Sequence, residues 1–366
     1  MSEAAKQAIE SDDLVPPGMG QQRLEPNQKR RVLDGLWHPF EWPSLEPQAR
    51  RWLVVMGEGG DEQGVIPLGK VGLLAGAGGA GKSFALSQLA VAVATGHDWL
   101  GFRVASPGRV LLVLGEEEGE EARRRMYRIG EAMKLSKEAR DEAAKRMVVL
   151  PMAGENVALT ESLDGAKEGR LPVTQLLEEI EERLRGDEDW ALVVLDPLSR
   201  FAGADVETDN AAATRFVQVL ERLAKAPGGP TVLVSHHTNK TARREGAGES
   251  DAAAATALRG ASGLTDGVRW QANLEAWERI DGAPRLLSMR VVKSNYGPPV
   301  SATDLTVPAG GHGTLRMATD EERKAWAMAK EAKKASSKKG EETRSKSDTE
   351  AARPSRTEPI AYNSDA

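Results

Sequence analysis

Short apolar runs alternate with helical patterns through the middle of the chain. An apolar run at 71–74 precedes a helical pattern that starts near Ser83, and RVLLVL at 109–114 precedes a charged helix. The same order recurs where WALVVLD at 190–196 leads into another helix and PTVLVS follows at 230–235. This alternation predicts an α/β fold with a mainly parallel sheet flanked by helices.

The last apolar segments follow a different pattern. VRWQANLEAW and RLLSMRVVKS are joined by the turn sequence RIDGAP and predict a C-terminal antiparallel hairpin that extends the sheet. Residues 46–317 then form one domain, preceded by an irregular leader at 1–45. Residues 318–366 are expected to be a charged tail, helical at most in its first part and otherwise disordered.

Composition narrows the class of protein. The 366 residues carry 49 basic and 55 acidic side chains, a net charge of −6, so a nucleic acid would have to meet a local basic patch. The absence of cysteine excludes disulfides and thiolate metal sites. The sequence has neither a signal peptide pattern nor an apolar run long enough to span a bilayer, so we expect a cytoplasmic protein without a membrane partner.

The clearest chemical motif is GAGGAGKS, which fits the phosphate-loop pattern GxxxxGK[ST]. It follows an apolar strand and opens a helix, as a loop that cradles phosphates with backbone N–H groups must. Lys82 would bridge the β- and γ-phosphates of ATP, and Ser83 would hold Mg²⁺. The candidate nucleotide-binding residues are Gly76, Gly78, Gly79, Ala80, Gly81, Lys82, Ser83 and Phe84.

Acidic and histidine side chains follow three further strands. Asp196 ends WALVVLD and is the carboxylate expected to orient Mg²⁺ and its waters, but Pro197 follows it, so the base that activates water must lie elsewhere. RVLLVLG ends in three glutamates beginning at Glu116, on a strand expected to lie next to that of the phosphate loop; the alternative is that they are helix-start acids. PTVLVS is followed by His236 and His237, the only two of the chain's five histidines at the end of a predicted strand, and the plain interpretation is that they are ordinary loop residues.

Together these segments resemble the RecA-like hexameric replicative helicases of the plasmid RepA type, within the RecA and DnaB-like ATPases. The resemblance runs from IPLGKVGLLAGAGGAGKS through LVVLDPLSRF and VLVSHH to LRGASGLTDGVRWQ and VVKSNYGPP, about three quarters of the chain. GAGGAGKS is shared by many ATPases, whereas the closing set of motifs is more specific. A glutamate on the second strand is typical of RecA-type motor domains.

The resemblance implies roles for individual residues. Glu116 matches the catalytic glutamate, and His236 or its neighbour matches the γ-phosphate sensor. Arg269 matches the arginine that family members insert into the neighbouring subunit's site, with Arg259 as a weaker candidate, and Lys293 matches a lysine that faces the adjacent nucleotide. Because such an arginine is worth roughly 10³ to 10⁵ in rate, the resemblance implies catalysis within a homo-oligomer, a ring of six.

Two loops are candidates for contact with single-stranded DNA. The first follows His237 and carries Lys240, Arg243 and Arg244; the second carries Arg200 among acidic residues. The alternative is that the first is a solvated surface loop.

The sequence therefore predicts an ATP-dependent DNA helicase or translocase that acts in replication of a plasmid, phage or mobile element, with replication proteins as possible partners. A DNA-assembling or regulatory ATPase without unwinding activity is the alternative, and an ATPase that acts on protein partners is another.

Overall fold

The computed structural model describes residues 48–161, 173–203, 205–238, 262–298 and 300–351, with side chains of the last helix described through residue 336. The chain divides into two units, Met1–Arg50 and Arg51–Ala366, and every described strand and helix belongs to the second. The predicted leader at 1–45 lies outside the described residues.

Strands and helices alternate as the apolar pattern predicts. The strands are β1 (Trp52–Met56), β2 (Gln63–Pro67), β3 (Val71–Gly76), β4 (Arg103–Val104), β5 (Arg109–Leu114), β6 (Met147–Pro151), β7 (Trp190–Asp196), β8 (Thr231–His237), β9 (Trp270–Ala276), β10 (Arg285–Ser294), β11 (Thr303–Val307) and β12 (Arg316–Met317). The helices are α1 (Lys82–Thr95), α2 (Gly119–Ala132), α3 (Lys137–Arg146), α4 (Gln175–Arg185), α5 (Leu198–Phe201), α6 (Asn210–Leu223), α7 (Ser262–Gly267) and α8 (Asp320–Ala351).

Nine of these strands form one sheet in the order β12-β11-β10-β9-β3-β8-β7-β5-β6. The six strands from β9 to β6 run parallel, and β10, β11 and β12 continue the sheet antiparallel. The predicted fold class is confirmed, with two more C-terminal strands than the predicted hairpin. A separate sheet, β2-β1-β4, has no counterpart in the sequence analysis.

One predicted neighbour relation is wrong. The strand that ends before Glu116, β5, does not lie beside β3, because β8 and β7 stand between them. The cause is the order of the crossovers. After β3, β5 is the next strand of this sheet along the chain, but β7 and β8, which come later in the sequence, insert between β5 and β3. All four strands still end at the same edge of the sheet, since they are parallel.

The sheet is buried on both faces. Leu112, Val194 and Leu274 point to the side of α1, while Leu111 and Val193 point to the side of α4 and α6. Helix α1 is apolar around most of its circumference because it packs on the sheet beneath the outer helices, with every residue from Ala85 to Ala94 buried. Among the described helices, none is both long enough and apolar enough to cross a membrane.

The charged C-terminal segment, predicted to be helical at most in its first part, forms helix α8 over Asp320–Ala351. Helix α8 begins with a capping box, in which Glu322 N–H donates to Thr319 Oγ1 (3.3 Å) and Thr319 N–H donates to a Glu322 carboxylate oxygen (3.0 Å). Trp326 lies edge-on to Trp277, with ring centroids 4.7 Å apart, and donates from its indole nitrogen to Glu278 O. The compact unit therefore continues past residue 317.

We expect Trp326→Ala to lower the free energy of unfolding by about 3 kcal/mol, because a buried aromatic side chain and its hydrogen bond are removed. Urea denaturation of the full chain measures the change. Met328→Ala is the matched control, since Met328 is 75% exposed on the same helix and its loss should change the free energy by less than about 0.5 kcal/mol. Equal effects of the two substitutions would show that α8 does not depend on the Trp326 contact.

Candidate functional site

The phosphate loop connects the central strand β3 to α1, as the motif predicts. Gly79 and Gly81 have φ of 73° and 93°, in the left-handed region that favours glycine. A side chain added at Gly78 or Gly79 would meet open space, so the loop surrounds an open concavity. Because Gly81 directly precedes α1, the positive end of the helix dipole is directed toward this concavity.

The Lys82 ammonium lies inside this loop. It donates to Gly76 O (2.8 Å) and Ala77 O (3.0 Å), and the residue is only 6% exposed. Burial lowers the pKa of Lys82 below its ordinary value, while the negative charges of Asp196 and Glu116 raise it and only partly offset the burial. The cation is therefore bound by neutral carbonyls that an anionic ligand can replace.

The structure places His237, rather than His236, next to Lys82. Lys82 Nζ lies 3.4 Å from His237 Nδ1, and an ammonium group can only donate, so Nδ1 accepts. The proton of the neutral ring then sits on Nε2, where it is available to an anion. His236 points to the other face of the sheet, where it is 1% exposed. The assignment of His236 as the γ-phosphate sensor therefore does not fit this geometry, which places His237 next to Lys82 instead.

Desolvation lowers the pKa of His237, and the neighbouring Lys82 ammonium lowers it further. The carboxylates of Glu116, Asp196 and Glu207 act in the opposite direction, with a smaller effect. The imidazole is therefore neutral at physiological pH.

The predicted metal ligands are oxygen donors, the type that Mg²⁺ prefers. Asp196 is 6% exposed at the end of β7, and its carboxylate accepts a hydrogen bond from the Ser235 hydroxyl. Ser83 follows Lys82 in the first turn of α1. A buried carboxylate beside the loop fits a divalent cation that is held through the nucleotide phosphates.

The three glutamates after β5 have three different environments. Glu116 is exposed, and its charge acts on both Lys82 and His237. Glu117 forms an ion pair with Arg125 of α2, and Glu118 occupies the N-cap position of that helix. Only Glu116 of the three acts electrostatically on the phosphate site, and the interpretation as helix-start acids fits Glu118.

Arg200, a candidate DNA contact in the sequence analysis, lies in α5, directly after the strand that ends at Asp196. Its Nε donates to Gly115 O (3.2 Å), so the side chain is directed toward the turn before Glu116.

The aromatic side chains of this part of the chain differ in exposure. Trp99 and Phe102 are core residues, 1% and 4% exposed, whereas Tyr127 is 64% exposed.

Arg269 and Lys293 lie at the opposite edge of the sheet from Lys82. Arg269 N–H donates to Val71 O (2.9 Å) at the start of β3, whereas the phosphate loop begins at Gly76, where β3 ends. The five residue steps from Val71 to Gly76 separate the two ends by roughly 16 Å. Arg269 is exposed and has no ion-pair partner within the described part of the chain.

Lys293 lies beside Arg269. Its ammonium donates to Thr265 O (2.7 Å) and Asp266 O (3.0 Å) at the end of α7. Burial lowers the pKa of Lys293, the Asp266 carboxylate opposes that shift, and the nearby Arg269 adds to it. The other predicted interface and DNA-binding residues, Arg259, Lys240, Arg243 and Arg244, lie outside the described residues.

Sequence reasoning missed the contacts that C-terminal residues make with the phosphate loop and with α1. Arg285, at the start of β10, donates to Gly79 O (2.7 Å). The Gln88 side chain of α1 donates to Leu315 O and accepts from Leu315 N–H, both at 2.8 Å. These residues are far apart in sequence, and no local motif marks them.

The phosphate loop, its buried lysine and the Asp196 strand on a parallel sheet define a P-loop nucleotide-binding protein. Residues 33–243, more than half of the chain, match the family model described as an AAA domain. The chain therefore belongs to the AAA domain family, and the class of activity is that of an ATPase, a class that usually requires Mg²⁺.

Among solved structures, the chain is similar to one that is described as an ATPase domain. The two share 12% sequence identity and a TM-score of 0.46, over 68% of this chain and 85% of that one.

We expect Lys82→Met to raise the pKa of His237, because the substitution removes the cation that disfavours the imidazolium. An NMR titration of the imidazole in nucleotide-free protein measures the value. Lys70→Met is the control: Lys70 precedes β3 at the opposite edge of the sheet, beside Tyr296, and its loss should leave the titration unchanged. A pKa that stays constant or falls in Lys82→Met would contradict the placement of His237.

Proposed function

We propose that the protein is an ATP-driven motor of the hexameric RepA helicase type, which hydrolyses ATP between subunits and moves along single-stranded DNA. The observation that carries this proposal is the position of Lys82 and Arg269 at opposite edges of the paired strands β3 and β9. No side-chain rotation brings Arg269 to the phosphate loop of its own subunit. The arginine can complete only the site of another copy.

Each residue at the nucleotide edge has a chemical role in this proposal. Lys82 would exchange its loop carbonyls for the β- and γ-phosphate oxygens, and Ser83 and Asp196 would hold Mg²⁺, which would neutralise developing phosphate charge. Glu116, exposed and within electrostatic range of Lys82, is the base that orients and deprotonates water. His237 Nε2–H donates to the γ-phosphate.

The path from nucleotide to DNA begins at His237. This residue contacts Lys82 and ends β8, and the chain then enters the segment that carries Lys240, Arg243 and Arg244. A change in the γ-phosphate thus acts at the start of the cationic segment. Six copies around a channel would concentrate twelve arginines and six lysines from this segment alone, despite the negative charge of the monomer.

A DNA-assembling ATPase that does not unwind duplex is the second candidate function. It needs the same interfacial site and the same cationic segment, so the arrangement of Lys82 and Arg269 supports both. The two candidates differ in one measurable property, the displacement of a strand.

We expect Arg269→Ala and Lys82→Ala each to lower ATP turnover by about 10³-fold or more, because each removes one half of the interfacial site. Mixed in equal amounts, the two variants should recover about a quarter of wild-type turnover, since random assembly pairs an intact loop with an intact arginine at one interface in four. Steady-state ATPase assays measure the recovery. Arg279→Ala, an exposed arginine of the β9–β10 turn, should be as active as wild type. A mixture as inactive as its components would argue against a role of Arg269 in trans.

The helicase proposal is tested by displacement of a labelled strand from forked DNA with ATP and Mg²⁺. We expect displacement by the wild-type protein and none by Lys82→Ala, because the variant cannot hold the phosphates. ATPase activity that single-stranded DNA stimulates, without displacement, would support the assembling ATPase instead. ATP turnover by Lys82→Ala equal to wild type would refute the nucleotide site.

A further inference from the structure

A partly buried ion pair lies next to the proposed catalytic glutamate. Arg125 of α2 is 7% exposed, and its Nη2 donates to the carboxylate of Glu117, the residue after Glu116. Neither residue belongs to the phosphate loop, and no local motif marks them as functional. The pair lies between the turn that carries Glu116 and the first turn of α1.

Arg125 touches both of these segments. Its guanidinium lies over the ring of Phe84, with 4.9 Å from the guanidinium carbon to the ring centre, and Phe84 directly follows Ser83 in α1. The Phe84 ring also packs closely against Gly313, where an added side chain would collide with the ring at 2.5 Å. Phe84 thus contacts both Gly313 and Arg125, and Arg125 connects it to the turn of Glu116.

The hydrogen bonding of Arg125 is incomplete. Within the described residues, its Nε and Nη1 atoms are buried and have no hydrogen-bond partner. A buried cation with a single anionic partner is a poor way to gain stability, since an apolar side chain of similar volume would fill the space without unpaired donors. The arrangement is better explained by the geometry that it imposes on Glu117.

The turn of Glu116 is also fixed through its backbone. Gly115 N–H donates to Asp196 O (2.8 Å), Arg200 Nε donates to Gly115 O (3.2 Å), and Ala153 N–H donates to Glu117 O (3.2 Å). These bonds attach the turn to β7, α5 and the segment after β6. The Arg125–Glu117 pair attaches the same turn to α2, and the contact of Arg125 with Phe84 extends this connection to α1, the helix that carries Lys82 and Ser83.

We propose that Arg125 is a positioning residue, which acts through Glu117 and Phe84 to set the distance from Glu116 to the phosphate loop. The inference rests on the proposed function, because it assigns Arg125 a part in ATP hydrolysis at that site. Arg125 lies outside the phosphate loop and is not the proposed base, so it acts through the residues that it contacts. Its loss should impair the chemical step and leave nucleotide binding intact, since Lys82 and the loop are unchanged.

The test compares Arg125→Met with wild type in two assays. We expect kcat to fall about 10²-fold, the effect of a small displacement of a catalytic group, while the Kd of a fluorescent ATP analogue stays within about threefold of wild type. Arg124→Met is the matched control, because Arg124 lies on the same helix but is 58% exposed and pairs with Glu121 at the surface. It should leave both values unchanged.

The double variant Arg125→Met with Glu117→Gln distinguishes the positioning role of Arg125 from a merely structural one. It removes both charges of the pair, so neither is left without its partner. Its melting temperature should return toward that of wild type, whereas its kcat should stay low, because Glu117 is still not held. Recovery of kcat together with the melting temperature would overturn the proposal.

Three further outcomes would overturn the role of Arg125. If the methionine variants do not fold, Arg125→Lys keeps the charge but loses the planar group that stacks on Phe84, and its kcat should fall by at least about tenfold; wild-type kcat in this variant overturns the inference. Turnover that is lost in Lys82→Ala but unchanged in Arg125→Met overturns the inference alone. A wild-type protein without ATP turnover, even with single-stranded DNA, overturns the proposed function and the inference together.

Discussion

The buried Lys82 ammonium is the constraint on which the nucleotide edge depends. A cation withdrawn from water has to be compensated, and here two loop carbonyls and the field of Asp196 and Glu116 compensate it. These groups meet because β3, β7 and β5 belong to one parallel sheet and end at the same edge. The same arrangement brings His237 to Lys82 from β8. The parallel sheet therefore places the groups that stabilise the buried ammonium around it.

The direction of the strands also decides what a single subunit lacks. Because β9 runs parallel to β3, the residue before β9 must lie where β3 begins, at the edge away from the phosphate loop. Arg269 occupies that place and is exposed there. A local rearrangement cannot bring it to its own Lys82, since the six-residue strand β3 separates them. On the proposed function, subunits must assemble because the strand direction places Arg269 away from the phosphate loop of its own subunit.

Prediction from sequence succeeded where a local pattern carries the information. The phosphate loop, the strand before it and Asp196 at the end of β7 follow from apolar runs and motif spacing alone. It failed where the answer depends on how distant segments pack. His236 and His237 are adjacent in sequence, and only the register of β8 decides which one faces Lys82. The Arg125–Glu117 pair, eight residues apart across a turn, likewise depends on how α2 docks. The capping box at Thr319 and Glu322 was a readable signal for α8, hidden by the charged composition around it.

The C-terminal strands are part of the nucleotide site's scaffold, although the sequence suggested that they only complete the sheet. Arg285 and Leu286 are consecutive residues of β10, so their side chains point to opposite faces. Arg285 donates to the phosphate loop at Gly79 O, while Leu286 packs in the apolar cluster of Trp326. One strand thus supports the loop on one side and α8 on the other. The two contacts differ in kind, because the Arg285 bond to Gly79 O is made by an exposed side chain, whereas Leu286 is part of a close-packed interior.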